Sequence, residues 1–375
     1  RHSGTRVGCV WANFGPLHVE RGAAAGRSGI EAVGIELFAT SDTYGWQAPQ
    51  HDAFRQITLF PDGGWKATPA LRLARAIVGA VRRERLDAAF LCHYQEPGVF
   101  LAAAWLRLTG FPVFAMGCSK FDDYPRRPAF ELFKSWLYKP YRGAIGSRRR
   151  STEYLRFLGV PADMIEGGYN TVSHDRIRAM AQSDAPLPAW EDRPFVCVAR
   201  LVPKKNLAML LDAYAIYAAG ADRPRRLVLC GDGPLLADLA AQAERLGIAG
   251  SVEFTGFVQT DEVARRLRDA LCLILPSHEE QFGNVVPEAQ ALDLPVLIST
   301  ACGAADELVR SAVNGHLVEP DNPRGLAHFM HRLGSDRAHW DALRAGVADL
   351  RAPGDVAAFA AAVHRLTDRA GVRTA

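Results

Sequence analysis

Short apolar runs alternate with longer amphipathic stretches along almost the whole chain. No other feature narrows the fold so far. Strands joined through helices return to one sheet only as parallel crossovers, and a parallel sheet needs helices over both faces. In the first half VGCVWA, VGIELFA, DAAFLCH and FPVFAMG read as strands. Between them, 69-PALRLARAIVGAVRRER-85 and 97-PGVFLAAAWLRLTG-110 carry the helical period, and the former opens on Pro69 behind Thr68.

The periodicity stops at 183-SDAPLPAWEDRP-194, where Pro, Asp and Ser accumulate as in a linker. It then restarts with FVCVAR, NLAMLLDAYAIYAAG, RLVLCG, LLADLAAQAERLG and VEFTG. DEVARRLRDA, LCLILP, VVPEAQALD, PVLIST and HLVEP complete it. At 375 residues the chain exceeds what one hydrophobic core serves. The expectation is an α/β protein of two Rossmann-like βαβ domains facing across a cleft. The first spans 1–182, a linker covers 183–194, and the second spans 195–352. Ligands of such sheets bind beyond the carboxyl ends of the strands.

Composition excludes several classes. Apolar residues make up 49% and charged residues 23%, against disordered and fibrous chains, and a net charge of +3 is too mild to mark a nucleic-acid binder. No apolar run reaches the roughly 18–20 residues of a membrane span. The N-terminus lacks the apolar core of a signal peptide, and its first residue, Arg1, reads as a trimmed or processed start. Seven scattered cysteines form no C-x-x-C pair and are expected to be buried free thiols in a reducing compartment.

The chemistry gathers at the strand ends of the second half. Behind FVCVA stands Arg200, and five positions on Lys205 precedes a helix. Behind RLVLC comes 231-GDGPL-235, behind VEF comes 255-TGFV-258, and behind LCLILP comes 280-EQFGNVVPE-288. All lie on one rim of one sheet. Arg200 and Lys205 are costly to bury unpaired, and a diphosphate partners both through charge-assisted hydrogen bonds. Gly283 and Asn284 open a helix whose free N–H groups favour an anion. Glu288, one turn in, suits a vicinal diol such as ribose. Glu280, in the preceding loop, reaches a different hydroxylated ring. Two carboxylates, two sugars and a diphosphate between them describe a nucleotide-sugar.

These segments, VARLVPKKNL, LCGDGPL, VEFTGFV and the two glutamates followed by EAQALDLPVLIST, resemble glycosyltransferase family 4, retaining enzymes of the GT-B fold. The resemblance covers residues 195–320. It implies that Arg200 and Lys205 bind the donor diphosphate and that Glu288 binds the ribose. Glu280, with the backbone of the loop Phe282, Gly283 and Asn284, then holds the donor sugar and phosphates, Gly231 lies beside them, and the backbone near Val258 faces the base. It also implies that residues 353–375, with the pattern 355-DVAAFAAAVHRLTDR-369, return as a helix to the first domain.

On the first domain, Gly15 in 13-NFGPLHVERG-22 ends the opening strand, where a glycine admits close backbone approach. In GT-B proteins that loop faces the donor phosphates. His93 ends the strand DAAFLCH. Family members often carry a functional histidine after the next strand, but this chain has 115-AMGCSKFDD-123 there. Ser119, Lys120, Asp122 and Asp123 are the substitutes expected to face the acceptor or donor sugar. Between Cys118 and Arg150 nine Lys and Arg stand against three acids, with Phe130, Phe133, Trp136, Leu137 and Tyr141 at helical spacing. Such a helix either lies on a membrane or packs its stripe on the sheet.

The activity implied is transfer of a hexose from a nucleoside-diphosphate sugar, UDP first and GDP next, to a glycan, lipid-linked or small-molecule acceptor, with anomeric configuration retained. Glu280, Arg200 and Lys205 are the catalytic candidates. No pair of acids marks a retaining hydrolase, so front-face displacement is favoured over double displacement through Glu280. No D-x-D or other metal cluster is visible, and neither a metal nor a further cofactor is expected. The expected setting is cytoplasmic, at the inner face of the membrane if the 120–150 segment binds lipid, with no nucleic-acid partner. The alternatives are a nucleotide-sugar epimerase or hydrolase, and a non-catalytic nucleotide-sugar-binding subunit. A nicotinamide-dependent dehydrogenase is disfavoured because Leu236 stands where a third dinucleotide glycine belongs.

Overall fold

The computed structural model describes residues 4–39 and 51–372. They form two units, one running to Ser173 and taking in the C-terminal segment from Val356, the other spanning His174–Asp355.

The first unit holds a parallel seven-stranded sheet. Its strands are β1 (Arg6–Trp11), β2 (Glu31–Phe38), β3 (Arg55–Phe60), β4 (Ala88–Leu91), β5 (Val113–Met116), β6 (Gly143–Gly146) and β7 (Ile165–Gly167), in the order β3-β2-β1-β4-β5-β6-β7. Side chains alternate across it as the pleat requires. Val10 joins the core under helices Ala70–Arg83 and Pro97–Leu108, while Cys9 and Trp11 join the opposite core with helix Ala357–Arg369. Helix Ala70–Arg83 buries Leu73, Ala74, Ile77, Val78 and Val81 along one stripe and places Arg82 and Arg83 at its C-terminal end, where cations are favoured. Pro69 stands one position before this helix, at its N-cap. Three strands escaped the sequence reading. β3 is a half-exposed edge strand, and β6 and β7 are short and glycine-rich. Gly143 is required for their pairing, since a Cβ there falls 2.3 Å from the Met164 carbonyl oxygen.

The second unit holds a parallel six-stranded sheet. It comprises β8 (Phe195–Val198), β9 (Leu227–Cys230), β10 (Val252–Gly256), β11 (Cys272–Leu275), β12 (Val296–Ser299) and β13 (Gly315–Val318), in the order β10-β9-β8-β11-β12-β13. All six coincide with the apolar runs read from sequence. The segment 183–194, expected as a linker, lies inside this unit, and the division falls earlier, between Ser173 and His174. Arg193 explains why. It is buried, donates to the carbonyls of Arg268 and Ala270 at 3.0 and 3.1 Å, and lies 5.3 Å over the Trp340 ring. Arg225 stacks 4.3 Å over Trp190 in the same segment. Two arginines thus pin a stretch whose composition looks loose.

In each sheet the connections change direction at one place, between β1 and β4 and between β8 and β11. Loops leaving the two strands there diverge and open a crevice at their carboxyl ends. None of the seven cysteines forms a disulfide, and only Cys118 is not fully buried.

Candidate active site

At the crevice of the second unit, a short helical turn, Pro203–Lys205, follows β8, and Asn206 comes next at φ +58°. Asparagine tolerates this left-handed conformation because its side chain is short and polar. Asn206 Nδ2 donates to the carbonyls of Pro276 at 3.0 Å and Pro320 at 2.6 Å, tying the loop after β8 to the loops after β11 and β13. The Lys204 carbonyl accepts the His278 amide at 2.9 Å, a second tie. Together they bring Lys205 Nζ into an ion pair with Glu280 Oε2. Ser277 Oγ stands 3.5 Å from the same oxygen.

The expectation paired Lys205 with a diphosphate and did not include Glu280 as its partner. Its charge is already balanced within the protein, because two partly buried groups of opposite sign cost less together than apart. Arg200, at the mouth of the same loop, is exposed.

The loop from Glu280 is held from below. Its carbonyl accepts the Gly303 amide at 3.1 Å. Gly283 sits at φ +93° with Cys302 Sγ and Leu275 Cδ2 each 3.0 Å from where a Cβ would be, so the turn needs glycine. Phe282 was expected to contribute its backbone. Its ring is 2% exposed and packs in the core with Val286 and Ala289, and its carbonyl accepts from Cys302 Sγ and the Ala304 amide. It shapes the loop from inside and offers no side chain to a sugar. Asn284 caps helix Val285–Ala291, and Glu288 lies one turn on. Burial pushes the Glu288 carboxyl up to about 7, against the pull of the Arg176 guanidinium from helix His174–Met180.

Gly231 also serves differently from the expectation. At φ +144° its missing Cβ would lie 2.0 Å from the Ala199 carbonyl oxygen, and its amide donates to the Gly256 carbonyl at 3.0 Å. The amides of Ala199 and Leu201 donate to the carbonyls of Cys230 and Asp232 at 3.0 and 2.9 Å. The loops after β8, β9 and β10 are thereby zipped backbone to backbone, and Gly231 spends its N–H on that closure rather than on a phosphate. Val258 follows, half-buried on the same edge.

In the first unit, Gly15 caps helix Pro16–Arg27 with φ −123°, a conformation open to any residue, and its amide donates to His18 Nδ1 at 3.1 Å. The Phe14 amide donates to Glu36 at 2.7 Å. His93 sits at φ +60° with its ring 5.4 Å from Trp65, and burial lowers its pKa. The reading missed His18, whose pKa is lowered to about 3 by burial, by Arg21 and by His93. A histidine in the first turn of a helix carries no distinctive sequence signal.

In the loop after β5, Ser119 is half-buried and Asp122 exposed. Lys120 is not available to an acceptor. It is 2% exposed and paired with Asp122 at 3.1 Å and Asp123 at 3.7 Å, while its amide donates to Asp123 Oδ2 at 2.9 Å. Asp122 and Asp123, read as contacts for the acceptor or donor sugar, supply the counter-charge of a buried lysine.

Residues 182–345 match the family described as Glycosyl transferases group 1. A D-inositol 3-phosphate glycosyltransferase of Thermobispora bispora is 36% identical over 180 residues, covering 45% of this chain and 41% of the relative. Its namesake from Streptomyces coelicolor is 32% identical over 246 residues, 59% of this chain and 52% of that one. The chain thus spans about half the length of the curated relatives it matches. Among solved structures, the lipopolysaccharide outer core galactosyltransferase WaaB in its apo form superposes over 97% of this chain and all of its own, with TM-score 0.71 and 16% identity. Anabaena Alr3699/HepE in complex with UDP covers the same shares, with TM-score 0.73 and 17% identity. At such identity the likeness is one of fold, and that fold is GT-B.

Proposed function

We propose, for a chain whose residues 182–345 match the group 1 glycosyl transferases, a retaining glycosyltransferase that moves a sugar from a nucleoside-diphosphate sugar to a hydroxylated acceptor. The observation that carries this is the Lys205–Glu280 ion pair at the turning point of the second sheet, with Arg200 exposed in the same loop. An ammonium has three donors, and Glu280 uses one of them. Lys205 turns the others to the phosphoryl oxygens and Arg200 adds a bidentate fork. As the glycosidic bond to the diphosphate breaks, negative charge grows on the leaving oxygens, and these fixed cations stabilise it without reorganising.

Glu280, oriented by Lys205 and Ser277, accepts from hydroxyls of the donor sugar, and Glu288 accepts from the ribose. The acceptor hydroxyl attacks from the face the diphosphate leaves and passes its proton to a departing phosphoryl oxygen, so configuration is retained. Neither a protein nucleophile nor a metal is invoked. UDP is the first nucleotide to test, a choice supported by the solved neighbour bound to UDP.

Thermal shift with UDP, GDP and ADP is the direct experiment. A nucleotide at 100 times its dissociation constant raises stability by about 2.7 kcal/mol. Sugar nucleotides of the best base are then supplied with acceptor candidates, and the anomeric proton of the product is read by NMR. Failure of all three nucleotides to bind overturns the proposal.

A further inference from the structure

Helix Pro128–Leu137 of the first unit is turned against the usual rule. An amphipathic helix buries its apolar stripe and exposes its charges. Here the inward face carries Glu131, which is buried and accepts hydrogen bonds from Tyr154 Oη, Lys134 Nζ at 3.1 Å and Arg126 Nη1 at 3.4 Å. The outward face carries Phe130, Phe133 and Trp136, which are 62%, 53% and 55% exposed. The buried ionic network holds the helix in this orientation, so the aromatic stripe is not packed on the sheet.

The neighbouring helix Pro97–Leu108 extends the patch. Phe100 and Trp136 ring centroids lie 4.8 Å apart, and Trp105 and Leu108 are 54% and 85% exposed. Seven of the sixteen large apolar side chains exposed among the described residues lie on these two helices. An apolar face this concentrated marks an interaction surface.

Charge at its edge selects the partner. Where the two helices end, Arg107, Lys139, Arg142 and Arg369 line a recess of about 330 Å³ whose walls include no carboxylate. Arg369 pairs with Glu166 at 2.7 Å. The other three have no carboxylate partner among the described residues. A second copy of the chain docking through this patch would set two cationic rims side by side, which disfavours it. Exposed tryptophans and phenylalanines rimmed by arginine and lysine match the interface of an anionic bilayer.

We propose that this face of the first unit rests on an anionic lipid membrane. Trp105, Leu108, Phe133 and Trp136 enter the boundary between headgroups and acyl chains, and Arg107, Lys139 and Arg142 hold lipid phosphate. The proposal does not depend on sugar transfer, since none of these residues belongs to the donor site.

The full chain is floated with phosphatidylcholine vesicles with and without phosphatidylglycerol. At low salt, at least about tenfold more protein floats with the anionic vesicles, and high salt releases it. The double variant Phe133→Ser/Trp136→Ser loses this binding. Arg107→Glu/Lys139→Glu loses the preference for anionic lipid, while Ile216→Ser, an exposed apolar residue of the second unit, binds as the parent does. Melting curves confirm that each variant folds. Absence of binding to anionic vesicles at low salt overturns the proposal. So does undiminished binding by the Phe133/Trp136 variant, or a lipid-free dimer that the same variant dissociates.

Discussion

Lys205 and Glu280, 75 positions apart, meet as an ion pair where the loops after β8 and β11 diverge. Asn206, in its left-handed conformation, makes the meeting possible by fastening one loop to the other. A cation and a carboxylate that separately resemble solvated surface charges are thus one unit.

Removing either partner tests that unit. Lys205→Met is expected to lower transfer about 100–1000-fold, the cost of losing one preorganised cation. It also weakens nucleoside-diphosphate binding and leaves Glu280 unpaired, at about 1–3 kcal/mol of stability. Glu280→Gln keeps the shape and retains UDP affinity while losing transfer. Titration calorimetry with UDP beside initial rates separates the two. Equal loss of UDP affinity in both variants would falsify the division of labour between diphosphate and sugar.

Glu288 gives a pH signature. Its folded pKa of about 7 lies above the ordinary carboxyl value of 4.5. Between those values the folded state holds a proton the unfolded chain has released, so this group's contribution to stability falls as pH rises from 4.5 to 7. Ribose hydroxyls donate to the ionised form, so nucleotide affinity is expected to rise over the upper part of that range and level off above it. Glu288→Gln flattens the profile. Arg176→Met moves the midpoint upward, because Arg176 favours the charged carboxylate. A profile indifferent to both changes would remove Glu288 from the nucleotide site.

Gly231 tests the zipped loops. Gly231→Ala places a methyl group 2.0 Å from a backbone oxygen at φ +144° and is expected to cost about 3 kcal/mol. Gly250→Ala, with nothing within 4 Å, should be neutral. Urea midpoints measure both, and comparable values would mean that the loops are not close-packed in solution.

A second pH effect comes from the histidine pair His316 and His339, whose Nε2 atoms are 3.0 Å apart. Burial, with His339 and nearby cations, lowers the His316 pKa from 6.5 to about 4. Within that window the unfolded chain binds the extra proton, so stability is lost as pH falls from 6.5 toward 4. His316→Asn should lose less stability across it, read from melting temperatures at each pH. An unchanged slope would assign acid lability to other groups, His18 foremost.

By itself the sequence determined the α/β class, the six strands of the second unit and the rim on which Arg200, Lys205, Glu280 and Glu288 lie. Period-two and helical apolar patterns are local, and strand ends follow from them. It left out β3, β6 and β7, an edge strand and two short glycine-rich ones whose pairing depends on neighbours distant in sequence. Only the tertiary structure decided that Lys205 is paired with Glu280, that Lys120 and the Phe282 ring are buried, that Gly231 closes a loop and that Phe130, Phe133 and Trp136 face outward. Each of those outcomes turns on where a side chain's charge or apolar surface finds its partner. That partner lies on another element, and no local pattern encodes the distance to it.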